Sequence, residues 1–267
     1  MSKFVFMVAA FAATAGSALG AGTITSGTAS YSWVGAWSSS TSGNGTFVTG
    51  TGISDQLFKN TWYYRSSVSL SSQLFSFPVT PASEVVSGDT ATITYNDQGT
   101  GTAGVARFNA VFTVKIVQVA EGQARIDTRL RITNNSNTQQ TFQFLNLVDL
   151  DLLGGTNAIS RTGDTAIYTA GANTGRHTGF DFSFATIGSG TNVQTAVNGS
   201  ANLNNGTASG GGTSTDRADA FQWTRTLGVG ASTDIYSSFA INTATVPAPG
   251  TFAMLALGGL VAGRRRR

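Results

Sequence analysis

The clearest pattern of hydrophobic and polar positions in the chain lies between residues 105 and 153. Apolar and polar residues alternate with a period close to two in the run 108–118, and again in the run 124–132 after the turn Glu121-Gly122. A third, more continuously apolar run covers 141–153. Alternation of this kind is typical of half-buried antiparallel strands. We therefore predict three successive strands that pair with one another as a meander.

Strand signals of the same type recur elsewhere in the chain. Aromatic residues concentrate in 61–65 and 73–77, and two late runs, 220–227 and 233–241, also suit strands. Residues 188–215 are rich in Gly, Asn, Ser and Thr, which indicates a long loop without a helix. The sequence therefore predicts an all-β body, residues 21–245, that folds as one antiparallel β-sandwich of jelly-roll-like or Ig-like type.

Charge is sparse and unevenly placed. Charged residues make up 11% of the chain, so its surface must consist largely of neutral polar groups. Lys3 and four C-terminal arginines lie outside the body, which holds eleven basic and thirteen acidic side chains. This distribution argues against nucleic acid as a partner, because nucleic-acid binding needs a clustered basic surface. Cysteine is absent, so the fold must be stabilised by core burial and strand pairing.

The N-terminal pattern, residues 1–20, is that of a secretory signal peptide. Lys3 precedes a ten-residue apolar run, 4–13, which is too short to span a bilayer. Ala18 and Gly20 place small side chains where a signal peptidase accepts them, so we expect cleavage after Gly20. The alternative is a buried N-terminal helix.

The C-terminal segment has three parts. The first is a joint whose prolines exclude a regular helix or a central strand: Val246, Pro247, Ala248, Pro249 and Gly250. A hydrophobic helix is predicted next, over 251–263, and it is followed by Arg264, Arg265, Arg266 and Arg267. Basic residues directly after an apolar segment stay on the cytoplasmic side of a membrane. The body is therefore expected on the far side of the inner membrane.

This arrangement resembles the PEP-CTERM sorting signal of Gram-negative bacteria, also catalogued as the ice-binding protein C-terminal domain. The resemblance covers 246–267 and departs from the family pattern at Ala248, where typical members carry Glu. It implies transient anchoring in the inner membrane, processing by an exosortase, and final placement at the cell surface or in an extracellular biofilm matrix. Its implied partners are signal peptidase, the exosortase and the membrane. An unprocessed single-span anchor is the alternative.

The body contains one candidate metal site. Asp149 and Asp151 are two residues apart, so on a strand both carboxylates would project to one face. Carboxylate oxygens are ligands of calcium, and Asp164 or Asp181 would be further donors from nearby loops. The alternative is an acidic pair on the solvent-exposed face of a strand. No other cofactor is indicated.

Candidate catalytic groups are few. His177 is the one histidine, and with no cysteine this excludes thiol nucleophiles and zinc sites built from several His or Cys ligands. We interpret His177 as a solvated loop residue rather than a member of a Ser-His-Asp triad. Six aromatic residues could line a sugar-binding groove, although positions in the core suit them better: Trp33, Trp37, Trp62, Tyr63, Tyr64 and Trp223.

These observations favour a non-enzymatic, exported surface or matrix protein whose body is adhesive or binds carbohydrate, with polysaccharide as its partner. The rival hypothesis is a secreted hydrolase that acts on polysaccharide. A hydrolase requires a cleft with convergent carboxylates, whereas an adhesive domain does not.

Overall fold

The structure, a computed structural model, describes residues 21–34, 45–66, 74–99, 107–153, 157–199, 202–203, 205, 207–208 and 217–244. The predicted signal peptide, the predicted C-terminal sorting segment and Trp37 lie outside these residues. The described elements, in chain order, are β1 (Ala21–Ser26), β2 (Ala29–Val34), β3 (Gly45–Val48), β4 (Leu57–Ser66), β5 (Phe75–Ser76), β6 (Ser83–Ser87), β7 (Thr90–Gln98), β8 (Phe108–Ala120), β9 (Gln123–Asn134), β10 (Gln140–Leu150), β11 (Ala158–Thr162), β12 (Thr165–Ala170), β13 (Asn173–Gly179), β14 (Phe184–Ser189), α1 (Gly190–Asn198), β15 (Thr207–Ala208), β16 (Arg217–Leu227) and β17 (Ser232–Asn242).

Two large sheets form a sandwich. The eight-stranded sheet has the order β11-β12-β13-β17-β9-β8-β7-β6, and the six-stranded sheet has the order β15-β14-β16-β10-β4-β5. All pairings are antiparallel except the two-residue parallel pairing of β14 with β15. Apolar side chains from the inner faces of both sheets make one core, as alternation along β8 and β9 requires. The predicted antiparallel sandwich is therefore confirmed.

The predicted meander is wrong at its third strand. β8 and β9 pair as expected, but β10 pairs with β4 and β16 in the opposite sheet. Phe142 and Phe144 on the inner face of β10 meet the main core, whereas Leu145 and Leu147 on its outer face belong to a second cluster. A strand that is buried on both faces, like β10, has a nearly continuous apolar sequence.

The second cluster is formed by helix α1, which lies within the segment 188–215 that was expected to be a loop. Val193 and Val197 of α1 are fully or almost fully buried against Leu145 and Leu147. The Ser189 side chain caps the N-terminus of the helix by accepting a hydrogen bond from the Asn192 backbone N–H. The outer face of the six-stranded sheet is therefore covered.

A three-stranded sheet, β1-β2-β3, closes one side of the main core. The rings of Tyr31 and Phe47 contact Phe239 of β17 at centroid distances of 5.9 and 5.5 Å. Glu121, in the turn between β8 and β9, accepts hydrogen bonds from the Thr28 hydroxyl and the Thr51 backbone N–H.

Within the described part of the chain, no helix has the length and apolar character needed to cross a membrane.

Candidate functional site

The outer faces of the two sheets differ in what they present to solvent. Helix α1 covers the six-stranded sheet, whereas the described residues of the eight-stranded sheet present mostly polar and charged side chains outward. Polar side chains that could have a function are therefore found in two places. One is a hydrogen-bonded network buried between the sheets, and the other is the open outer face of β9, β17 and β13.

The buried network joins side chains from both sheets. His177 Nδ1 of β13 lies 2.6 Å from Asp219 Oδ2 of β16, and His177 Nε2 lies 2.9 Å from the Ser237 hydroxyl and 3.0 Å from Asn146 Oδ1. The Tyr168 hydroxyl donates to Asp219 Oδ1 at 2.5 Å. Burial, followed by the negative charge of Asp219, raises the pKa of Tyr168 well above its ordinary value. We call these five residues the buried network.

Ser237, His177 and Asp219 are connected in the order of a Ser-His-Asp triad. Ser237, however, does not lie where a nucleophile would have to lie. His177, Asp219 and Ser237 are 0%, 1% and 3% exposed. The Ser237 hydroxyl donates to Asn146 Oδ1 at 3.0 Å inside the core. A nucleophile must reach a substrate, so this arrangement joins the two sheets instead. The interpretation of His177 as a solvated loop residue is wrong.

Asp149 and Asp151 differ in their surroundings. Asp149 is 3% exposed and lies opposite Lys59 in the pairing of β10 with β4, whereas Asp151 is exposed beyond the end of β10. Burial lowers the pKa of Lys59, and the negative charge of Asp149 opposes that shift. Among the described residues, no three His, Cys, Asp or Glu side chains cluster as metal ligands. Calcium binding at Asp149 and Asp151 stays a prediction.

The aromatic residues singled out in the sequence occupy the core wherever the structure describes them. Trp33, Trp62 and Trp223 are at most 1% exposed, and Tyr63 and Tyr64 are 3% and 6% exposed. Burial raises the pKa of Tyr64 to about 12. These rings contribute to stability and offer no surface to a ligand.

Two other aromatic residues, Tyr236 and Phe180, lie on the open face. Tyr236 points outward from β17 and is 47% exposed, and Phe180, directly after β13, is 45% exposed. They border a groove of 480 Å³, which we call the aromatic groove. Thr113, Lys115, Asp127 and Arg129 are among the other residues that line it.

Hydrogen bonds hold Phe180 in place above the sheet. Its backbone N–H donates to the Tyr236 carbonyl at 3.2 Å, and its carbonyl accepts from Trp223 Nε1 at 2.7 Å. Asp181, the next residue, has a φ of 52°, which turns the chain away from the strand. Beside the groove, Arg129 pairs with Asp234 at 2.9 Å, and this hydrogen bond and charge raise the pKa of Arg129. Hydrogen bonds and an ion pair therefore fix the positions of Phe180 and Arg129 in the groove.

No family model and no curated protein sequence matches this chain. Among the solved structures that do match is a galactose mutarotase-like protein from Lactobacillus casei ATCC 334. The likeness covers 84% of this chain and 100% of that one, with a TM-score of 0.53 and 9% sequence identity. Similarity at this level of identity shows the fold, and it supports the description of the body as a β-sandwich.

Proposed function

We propose that the chain is an exported cell-surface or matrix protein whose β-sandwich body binds carbohydrate in the aromatic groove. The observation that carries the proposal is the presence of two exposed rings, Tyr236 and Phe180, on neighbouring backbone segments beside a groove of 480 Å³. That volume lies in the range of small-molecule sites, about 300 to 1,000 Å³. The flat face of an aromatic ring is apolar and can stack on the C–H groups of a sugar. Polar side chains next to the ring can contact the hydroxyl groups of the sugar.

The fold likeness to a galactose mutarotase-like protein supports the same proposal, since that name refers to a sugar. The wall of the groove is mainly apolar, and the lining side chains also carry groups that can form hydrogen bonds with hydroxyl groups. Lys115 and Arg129 are donors, and Asp127 is an acceptor. A site of this kind binds without requiring a nucleophile or a general acid.

The sorting part of the proposal rests on the sequence of both ends. A signal peptide over 1–20 would direct export, and the segment 246–267 would hold the protein in the inner membrane of a Gram-negative bacterium until an exosortase processes it. The described body ends at Ala244, so removal of the segment leaves every described strand intact.

Binding is tested by applying the purified chain to a glycan array and measuring the affinity for each bound glycan by calorimetry. Substitution of Tyr236→Ala or Phe180→Ala should weaken binding about tenfold, because each ring loses the apolar area that it buries against the ligand. Phe58→Ala is the matched control, since Phe58 of β4 is also partly exposed, at 38%.

Equal affinity in all three variants would contradict the proposal, as would the absence of any bound glycan. Release of reducing ends from a bound polysaccharide would favour the alternative function, a hydrolase.

A further inference from the structure

Two grooves lie along the outer face of β17, and we call this stretch of the open face the channel. Residues at alternate positions of a strand face the same side, so Tyr236, Ser238, Ala240 and Asn242 form one outward row. At ~3.4 Å per residue this row is ~20 Å long, which suits several linked sugar rings rather than one. Ser238 and Ala240 are small, so the middle of the row forms a low floor between the side chains of the neighbouring strands.

Two arginines stand on opposite sides of this floor at the end away from the rings. Ala240 lies directly opposite Arg125 of β9 and Arg176 of β13. Neighbouring strands are ~4.8 Å apart, so the backbones that carry the two arginines are ~10 Å apart, with only the Ala240 methyl group between them. A second groove, of 230 Å³, lies at this point and is lined by both arginines, Ala240 and Asn242.

Basic groups outnumber acidic groups along the channel. Lys115, Arg125, Arg129 and Arg176 line its two grooves, and the described carboxylates paired with three of them are Asp89, Asp127 and Asp234. Arg125 pairs with Asp127 at 2.8 Å and Arg129 pairs with Asp234 at 2.9 Å. Within the described part of the chain, Arg176 is exposed and makes no ion pair. The body as a whole holds more acidic than basic residues, so this excess is local.

We propose that the channel binds an acidic polysaccharide, with a sugar ring on Tyr236 and Phe180 and a uronate carboxylate between Arg125 and Arg176. This inference rests on the proposed binding of carbohydrate in the aromatic groove and adds the class of polymer. The planar guanidinium group donates two parallel hydrogen bonds to a carboxylate, and an arginine without an ion pair has these donors available. A neutral sugar chain would leave Arg176 without a charged partner among the described residues.

The test compares a ligand and its uncharged counterpart. The full-length chain is titrated with oligogalacturonate and oligoalginate, and with the methyl esters of both, which keep the sugar rings and remove the charge. We expect each acid to bind about tenfold more tightly than its ester. Arg125→Gln/Arg176→Gln should abolish this preference, so that acid and ester bind with equal affinity. Arg107→Gln is the control, because Arg107 is exposed and pairs with Asp97 at 2.7 Å away from the channel.

The possible outcomes separate the two proposals. Equal affinity for acid and ester would overturn the acidic-polymer inference and leave carbohydrate binding standing. A loss of preference as large in Arg107→Gln as in the channel variant would also overturn it, because the attraction would then be that of the overall charge. Failure of both acids and both esters to bind would overturn this inference, and the glycan array then decides whether the aromatic groove binds another carbohydrate.

Discussion

His177 Nδ1 and Asp219 Oδ2 lie 2.6 Å apart, and both side chains are almost completely withdrawn from water. Loss of one partner from such a contact leaves the other buried without compensation, which costs about 3 to 5 kcal/mol. Loss of both partners removes that penalty. The two side chains should therefore be strongly coupled in their contribution to the free energy of unfolding.

We expect His177→Ala and Asp219→Ala each to lower the free energy of unfolding by about 3 kcal/mol, and the double variant to lower it by about 2 kcal/mol less than the sum. Urea denaturation of the four proteins measures this coupling. The exposed pair Arg125 and Asp127 is the control, for which we expect a coupling below about 1 kcal/mol. A coupling in the buried pair no larger than in the control would contradict the prediction.

The role of His177 could not be predicted from the sequence, because the residues next to it in the sequence are typical of a loop. Gly175 and Gly179 flank it in β13, and glycine usually disfavours strands. Here both are required by close packing. A methyl group at Gly175 would lie 2.7 Å from Leu150 Cδ1, and one at Gly179 would lie 2.6 Å from Phe221 Cγ. The partners of His177 are 31 to 60 residues away in sequence, so no local pattern links them.

Among the elements, helix α1 depends most on tertiary contacts. Its sequence is rich in Gly, Thr and Asn, which are poor helix formers, and it has nine residues, fewer than an isolated helix needs. Polar side chains of β4 hold it against the sheet, and one of them is the Tyr63 hydroxyl, which donates to Gln194 Oε1 at 3.2 Å. Lys59 Nζ donates to Gln194 Oε1 at 3.0 Å, and a guanidinium N–H of Arg65 donates to the Gly199 carbonyl at 3.1 Å.

Substitution of Val193→Ala should lower the free energy of unfolding by about 2 kcal/mol, since it removes two buried methyl-sized groups and leaves a cavity under the helix. Val119→Ala is the matched control, because Val119 is 69% exposed and should change stability by less than about 0.5 kcal/mol. Chemical denaturation of both variants tests this. Similar effects at the two positions would show that α1 does not rest on the sheet as described.

Other elements could be predicted because their alternation is a local property. β8, β9 and β17 follow their predicted runs closely, since one face of each points to the core. Sheet membership is not a local property. The apolar run of β10 was compatible with either sheet, and its placement is settled by the two surfaces that cover it, the core and α1.

At the scale of the whole molecule, the body should be separable from the segment that follows it. Thr243 marks the boundary: it is 6% exposed, its hydroxyl donates to Gln56 Oε1 at 3.1 Å, and its backbone N–H donates to the Gly122 carbonyl at 2.8 Å. A chain that ends after residue 245 keeps these contacts, whereas one that ends after Ile241 loses them.

We expect cells that express residues 1–245 to release the body from the membrane fraction with an unchanged melting temperature. Truncation after Ile241 should lower the free energy of unfolding by about 1 to 3 kcal/mol, because the buried Gln56 side chain loses both of its hydrogen bonds with Thr243. Replacement of the four terminal arginines by serine in the full chain should weaken membrane retention. Membrane association of the 1–245 chain would contradict the sorting proposal.

β17 is both the floor of the channel and the last described strand before residue 245. It is paired over eleven residues with β9 on one side and over six with β13 on the other. Tension between a ligand lying on this strand and the chain beyond Ala244 would act along the strand axis. The hydrogen bonds of both ladders would then be loaded in shear, all at once, instead of opening in turn from one end. In a chain without cysteine, resistance to pulling would thus come from the central position of β17 in the eight-stranded sheet.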